Sequence, residues 1–481
     1  MAFDHTFLVD ALGEEQVSTG ESAREEHSAD WATDAEWVTP EPVLPDVVVY
    51  PTTTEEVAAV LAGATERDVP VTPYAAGTSL EGNPVPAHGG ISMNLTRMDE
   101  VLDVRPGDFQ IDVEPGVMGP TIEEVAGKHG LSFPPLPSSG DISTIGGMIA
   151  NGASGMQTVK YGEVADWVLE LEVVLADGSV ITAGSKAVKT SSGYNLRDLL
   201  VGSEGTLGVV TRATLELAGR PRQIKGGRVI FSNLADASAA VTDVVQSGVD
   251  VAKIELIDAE SARISNAYTG ADLPDAPMVF LEFHADHGID EEVAFCQSIV
   301  ESHDPVAFEL APEERMDDLW EARKDLAFAL ATYDPEMRPL HPGDVTVPIS
   351  EYGPLMEYAK SVGEEYGLMV PCFGHAGDGN IHYSVMVDPD DEEELARGEE
   401  VYAAIVERAI EVGGTATGEH GIGQGKREYM VAEHGEASVE AMRRIKRALD
   451  PTDTLNPGKI FPETADGERV RDRTATGNDL S

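Results

Sequence analysis

Hydrophobic and polar positions follow two different rhythms along this chain, and the change falls near residue 220. Before it, apolar runs are short and separated by Gly- and Pro-rich stretches. Val47 to Tyr50 is a compact β-branched run and predicts a strand. Thr53 and Glu56 form a Thr-x-x-Glu helix-start signature, and Val57, Val60 and Leu61 give that helix an apolar face. Val69 to Pro73 reads as the next strand. Leu169 to Leu175 and Ser179 to Ala183 flank Asp177-Gly178, a turn that hairpins favour. Beyond 220 the pattern alternates strand and helix. Strands are expected at 226–231, 251–257, 277–284, 344–348 and 381–387, and helices at 234–247, 288–301, 312–333, 351–366, 392–412 and 436–449. Antiparallel sheets with helices on one face fit that spacing, which makes the class α+β.

The flanks differ from both parts. Residues 1–41 are polar and acidic with one amphipathic stretch, and read as a leader packed on the first domain. Residues 462–481 read as a disordered tail. The expected division is therefore 1–41, 42–219, 220–461 and 462–481, without internal repeats.

Charge narrows the function classes. The chain carries 33 basic against 86 acidic residues, a formal charge of −53. The acids are spread over its whole length, which reads as adaptation to a high-salt cytosol. Nucleic acid is excluded as a partner, because phosphate backbones require Lys and Arg patches. There is no run of 18 apolar residues, so no transmembrane segment, and Met1 to Gly20 lacks a signal-peptide pattern. A cytoplasmic location follows, with peripheral membrane contact left open. Two isolated cysteines, Cys296 and Cys372, build neither a disulfide framework nor an iron–sulfur ligand set. Electrons removed here must leave through another molecule.

Three segments of the first domain are dense in glycine and small residues. They are Pro73 to Gly82, Pro137 to Gly155 and Gly202 to Gly208. Small residues let backbone approach a ligand closely, and consecutive N–H groups form anion nests. None is the G-x-G-x-x-G of a dinucleotide βαβ unit, so a nicotinamide cofactor gains no support. The order Gly-Thr-Ser-Leu-Glu-Gly, Ile-Gly-Gly-Met, Ala-Ser-Gly, Tyr161-Gly162 and Gly-Ser-Glu-Gly-Thr-Leu-Gly resembles the PCMH-type FAD-binding domain of the vanillyl-alcohol-oxidase superfamily. The resemblance implies that Ala76, Gly77, Thr78, Ser79 and Leu80 bind FAD, with Gly77, Thr78 and Ser79 on the pyrophosphate. It places Gly140, Asp141, Ser143, Thr144, Gly147, Asn151, Ser154 and Gly155 around the flavin side and Gly208 and Val209 near the adenine, and it counts Glu204 and Gly205 among the cofactor-binding residues. Ala75 and Ser79 stand where relatives often carry Gly. No His or Cys lies in the first loop to tether flavin, so non-covalent FAD is expected.

The sharpest chemical signal is Phe373-Gly-His375-Ala-Gly-Asp-Gly-Asn-Ile-His382. Gly-Asp-Gly-Asn is turn chemistry, so the two histidines should flank a tight hairpin and form half of a site for a borderline metal. A second motif, Gly418-Glu419-His420-Gly-Ile-Gly, is too glycine-rich for regular structure. Gly425-Lys426 is not a phosphate loop, since Arg427 stands where Ser or Thr is required. With Leu319-Trp-Glu-Ala-Arg323, Asp344-Val-Thr-Val-Pro-Ile-Ser and Leu455-Asn-Pro-Gly-Lys459, these motifs resemble the FAD-linked oxidase C-terminal family, in particular mitochondrial-type D-lactate dehydrogenases and glycolate oxidase flavin subunits. The match runs over nearly all of 42–461.

That resemblance implies a divalent metal, Zn or Mn, on His375, His382 and Glu419. It makes His420 the base beside the flavin and Arg323 the clamp on the substrate carboxylate, and it sets Asn456 against the flavin or the closing loop. The expected reaction is oxidation of a D-2-hydroxy acid, foremost D-lactate, with glycolate and D-2-hydroxyglutarate as alternatives. A quinone, a cytochrome or an electron-transfer flavoprotein would take the electrons. The competing classes are a non-redox flavoenzyme on the same scaffold and a metal-dependent hydrolase, for which two histidines and a glutamate are also a known ligand set.

Overall fold

The computed structural model describes residues 4–32, 43–311, 320 and 322–462. The chain forms two compact units. The described residues of Met1–Ser154, Glu163–Arg220 and Glu419–Ser481 make one, and those of Gly155–Gly162 and Pro221–Gly418 make the other.

The first unit is built on two sheets. Val47–Val49, Ile91–Asn94 and Val71–Tyr74 run parallel, and Val17–Ser18 joins the outer edge antiparallel. The helix Thr54–Glu66 sinks Val57, Val60, Leu61 and Ala64 into this sheet's core, and the helix Thr6–Leu12 adds Leu8 and Leu12 to the same cluster. Thr53 caps the longer helix through Glu56 N at 3.2 Å. The return bond of the capping box runs to Thr52 N at 2.7 Å rather than to Thr53, because Glu56 Oε2 is also held by Gln16 Nε2 at 2.9 Å.

The second sheet of this unit is antiparallel, in the order Val101–Arg105, Gln110–Val113, Val209–Glu216, Val168–Val174, Val180–Gly184. The hairpin at Asp177-Gly178 forms, and Gly178 takes φ +83 with its backbone against Ala58 O. The helix Glu436–Leu449 belongs to this unit and not to the other. Its Lys446 donates to Thr206 O at 2.9 Å and to Asp450 at 2.5 Å.

The second unit carries a seven-stranded antiparallel sheet. Its order is Ala307–Leu310, Gln223–Ile230, Met278–Ala285, Lys253–Ile257, Cys372–His375, Asn380–Tyr383, Gly343–Thr346. The helices Leu234–Ser247 and Ile289–Val300 pack on Ile254, Val279 and Leu281 of one face. Differences from the sequence expectation are local. The run expected at 381–387 divides into Asn380–Tyr383 and Met386–Val387. Three strands, Ala307–Leu310, Arg338–Pro339 and Cys372–His375, and the helix Ala259–Thr269 were not expected. Of the helix expected at 312–333, residues 312–319 and 321 lie outside the described residues, and Leu326–Thr332 is helical. The tail beyond 462 also lies outside them.

Candidate active site

In the first unit the three glycine-rich segments converge. A Cβ on Gly147 would come 3.1 Å from Ala75 Cβ, and one on Gly152 would come 3.3 Å from Gly202 Cα. Thr78 Oγ1 and Ser143 Oγ are 2.9 Å apart, and Ser143 donates to Ser139 at 3.2 Å. Glu204 N donates to Ala150 O at 2.7 Å. Ala75 to Leu80 nevertheless stay partly exposed. Thin backbone, lined by hydroxyls and lacking bulky side chains, suits a long ligand with a pyrophosphate, and FAD fits it.

Several of the expected contact residues also have structural partners. Gly208 is glycine because a Cβ would meet Val173 Cγ1 at 2.4 Å, and Val209 is buried in the core. Ser154 Oγ donates to Glu419 Oε2 at 3.0 Å, and Asn151 Nδ2 donates to Glu419 O at 2.6 Å. These two residues position the acidic motif. Asn456 likewise ties loops together, donating to Asn83 O at 3.0 Å and Glu204 O at 2.8 Å.

The Glu419-His420 loop is fastened by two carboxylates that sequence reasoning did not single out for that role. Glu204 accepts from Ile422 N and Gly423 N, both at 2.8 Å, and from Asn83 Nδ2 at 2.6 Å. Burial raises its pKa, and these bonds oppose the rise. Glu81 lies 4.0 Å from His420 Nδ1 and 3.3 Å from the buried Lys426 Nζ, and its carbonyl accepts from Gln424 N at 2.7 Å. A Cβ on Gly421, which has φ +83, would sit about 3 Å from Asn151, Asn83 and Glu204, so only glycine closes this loop without displacing its neighbours.

In the second unit, strand register places the chemistry on one sheet face. Lys253 pairs with Glu282, Glu255 with Phe280 and with His375, Phe373 with His382, and His382 with Asp344. Residues directly opposite each other point to the same side. The imidazoles of His375 and His382 are perpendicular, with centroids 5.0 Å apart. His375 Nδ1 lies 2.7 Å from Glu255 Oε1, which leaves Nε2 as the lone-pair nitrogen. His382 Nδ1 lies 3.7 Å from Asp344. Asp344 accepts from Asn380 Nδ2 at 2.7 Å, and from Thr417 Oγ1 and Gly418 N at 2.8 Å.

Glu255 also pairs with Arg323 Nη2 at 2.6 Å, and that guanidinium lies 4.8 Å over the Phe373 ring. Arg323, Glu255 and His375 thus form one buried chain. Glu255 and Asp344 were not singled out as functional residues, although Glu255 lies inside the apolar run Ile254 to Ile257 and Asp344 opens an expected strand. A charge in such a place needs a buried partner, and that was the legible signal.

The cradle suits a flavin and the sheet face suits acid–base chemistry, the two capacities that the class of flavin-dependent oxidoreductases requires. Comparison with known proteins gives the particular family. Residues 220–460 match the family of FAD linked oxidases, C-terminal domain, and residues 45–184 match an FAD binding domain. The chain belongs to the FAD-linked oxidase family, and its cofactor is FAD. It is 35% identical to the glycolate oxidase subunit GlcD of Bacillus subtilis, over 89% of this chain and 92% of that one. It is 37% identical to the mitochondrial D-lactate dehydrogenase [cytochrome] of Arabidopsis thaliana, over 87% of this chain and 74% of that one. Among solved structures it is similar in fold to 4-ethylphenol oxidase from Gulosibacter chungangensis, with TM-score 0.77, 19% identity and coverage of 95% and 97%. Alkyldihydroxyacetonephosphate synthase gives TM-score 0.74 at 20% identity, covering 92% and 82%.

Proposed function

We propose that this protein oxidises a small D-2-hydroxy acid, foremost D-lactate, to the 2-oxo acid. Bound FAD, held non-covalently, supplies the acceptor for the α-hydride. Arg323 holds the substrate carboxylate, because a guanidinium fork suits a planar anion. His420 takes the hydroxyl proton. The observation that carries this reading is the buried chain of Arg323, Glu255 and His375 beside His382 and Asp344, on a single sheet face.

A divalent ion, Zn or Mn, on His375, His382 and Glu419 would polarise the substrate hydroxyl as a Lewis acid. The donor chemistry supports it: two imidazoles, each facing a buried carboxylate, follow the pattern in which outer carboxylates orient metal-binding histidines. Glu419 is assigned from its motif and from the Ser154 bond that orients its carboxylate.

Glycolate and D-2-hydroxyglutarate are the alternative substrates. His341 and Pro342 precede the Asp344 strand, and His341 Nε2 is engaged with Glu399 at 3.0 Å. That leaves no lysine or arginine at this place for a second carboxylate and favours monocarboxylates. Cys296 and Cys372 are buried thiols whose pKa values burial raises, that of Cys296 to about 12. Electrons therefore pass to a separate quinone, cytochrome or electron-transfer flavoprotein. Among the described residues no helix is long and apolar enough to cross a membrane. We assign the protein to a salt-rich cytosol on the strength of its charge.

The test is anaerobic bleaching of the flavin against D- and L-2-hydroxy acids, with and without a chelator. D-lactate should bleach it, and chelation should slow the reduction. His420→Ala should keep its FAD yet lose most of that reduction. A normal reduction rate in this variant would remove His420 from the mechanism.

A further inference from the structure

The second unit holds three buried N–H donors on one helical turn that have no aligned acceptor among the described residues: Trp320 Nε1, Arg323 Nε and Arg323 Nη2. Trp320 is 8% exposed and Arg323 4%. Native interiors rarely tolerate such groups, because a buried donor without a partner costs about 1–3 kcal/mol. Residues three apart in a helix share a face, so the indole and the guanidinium point to the same side.

Both are also pinned. Lys253 Nζ sits 4.5 Å from the Trp320 ring centroid, and the Phe280 ring packs on the indole at 6.2 Å. Lys253 is itself held by Glu282 at 2.9 Å, and Glu282 by His284 Nε2 at 2.8 Å. Tyr161 closes that series, its hydroxyl 2.9 Å from His284 Nδ1. With Lys253 against its ring and Phe280 packed on it, the indole is hindered from swinging its N–H to another acceptor. Arg323 Nη2 reaches Glu255 at 2.6 Å as an ion pair but out of line for a hydrogen bond. Nε and Nη2 are the two N–H groups a carboxylate takes side-on.

We infer that Trp320 is a further substrate-binding residue, whose indole N–H donates to the same carboxylate that Arg323 clamps. The ligand class is a small planar carboxylate, which has lone pairs enough for the guanidinium fork and a third donor. A neutral alcohol or an ether would leave at least one of the three buried donors unanswered. This assignment rests on the hydroxy-acid reading above and extends it, since Trp320 then helps set affinity for the acid and not the rate of the chemical step.

Trp320→Phe keeps an aromatic ring between Lys253 and Phe280 and deletes only the N–H. Its KM for D-lactate should rise about ten-fold, the size of one hydrogen bond to a charged group, with kcat nearly unchanged. A second measurement uses the wild-type holoenzyme labelled with 15N at its four tryptophans. Titration with pyruvate should shift the Trp320 indole N–H signal downfield. That signal is assigned by its loss in Trp320→Phe or, should this variant not fold, by elimination with Phe at Trp31, Trp37 and Trp167. An unchanged KM in a folded Trp320→Phe, or a Trp320 signal that ignores saturating pyruvate, would overturn the inference. If D-lactate and its analogues fail to bleach even the wild-type flavin, the hydroxy-acid reading itself falls, and that result is distinct from either of these.

Discussion

Glu255 serves two functional neighbours at once, His375 and Arg323. It is fully buried, it fixes the tautomer of His375, and it balances Arg323. Glu255→Gln keeps an acceptor for the imidazole and removes the charge. If His375 holds the proposed divalent ion, weakening this outer partner should lower metal affinity by about 10-fold, the low end of what such changes cost, and competition with a chromophoric chelator would read it. Glu255→Ala should also lower the melting temperature sharply, because leaving a buried cation unpaired costs about 3–5 kcal/mol.

Lys459 tests a different kind of burial. Its ammonium is enclosed, donates to Val85 O at 2.5 Å, and is pushed down to about 7, chiefly by desolvation and then by Arg427. The unfolded chain holds that proton up to about 10.5. Between these values the unfolded state binds the extra proton, so this residue makes stability rise with pH from about 7 to about 10. Below 7 both states are charged and the full penalty of burial applies. Lys459→Met should therefore stabilise the protein most at pH 6, relative to wild type, and progressively less towards pH 10. A difference in melting temperature that stays flat over that range would show that Lys459 remains charged throughout.

At the scale of elements, legibility depended on side-chain size and periodicity. The helix Leu234–Ser247 was readable because Asn233 caps it and Ala237, Val241 and Val244 recur on one face. The helix Ala259–Thr269 was not, since it buries Ser261, Ala262, Ile264 and Ser265, small and polar residues that make no apolar stripe. Its Asp258 cap was a visible signal that went unused. The strand Cys372–His375 escaped because all four residues are buried, so polar and apolar positions do not alternate along it. The hairpin it begins was legible from its turn alone. There Gly379 has φ +83, and a Cβ would come 2.1 Å from Val347 O. Gly367 has φ +72 with open space around it. Gly379→Ala should lower the melting temperature well beyond Gly367→Ala, because the second variant carries only the backbone penalty of about 1 kcal/mol. Equal losses would mean that the hairpin gives way without cost.

At the scale of the whole chain, the first compact unit takes up the chain again at Glu419, a return that the sequence does not show. Nothing local marks it, because the bonds that hold the returning segment, from Glu204 and Glu81 to residues 422–424, span over 200 positions. The charge of −53 is the one property that belongs to no element. At about 0.15 M salt the screening length is about 8 Å, and at 1 M it is about 3 Å. Surface carboxylates therefore repel over several neighbours in dilute buffer and scarcely beyond one another in concentrated salt. If the acids are an adaptation to such a medium, the melting temperature should climb steeply from 0.1 M KCl and level off above about 1 M, where screening is nearly complete. NaCl and tetramethylammonium chloride should act about equally, because screening depends on ionic strength and not on the cation. A gain seen with sulfate but absent with all three chlorides would instead indicate strengthened hydrophobic burial. The acidic surface would then be a cost this fold carries at any salt concentration.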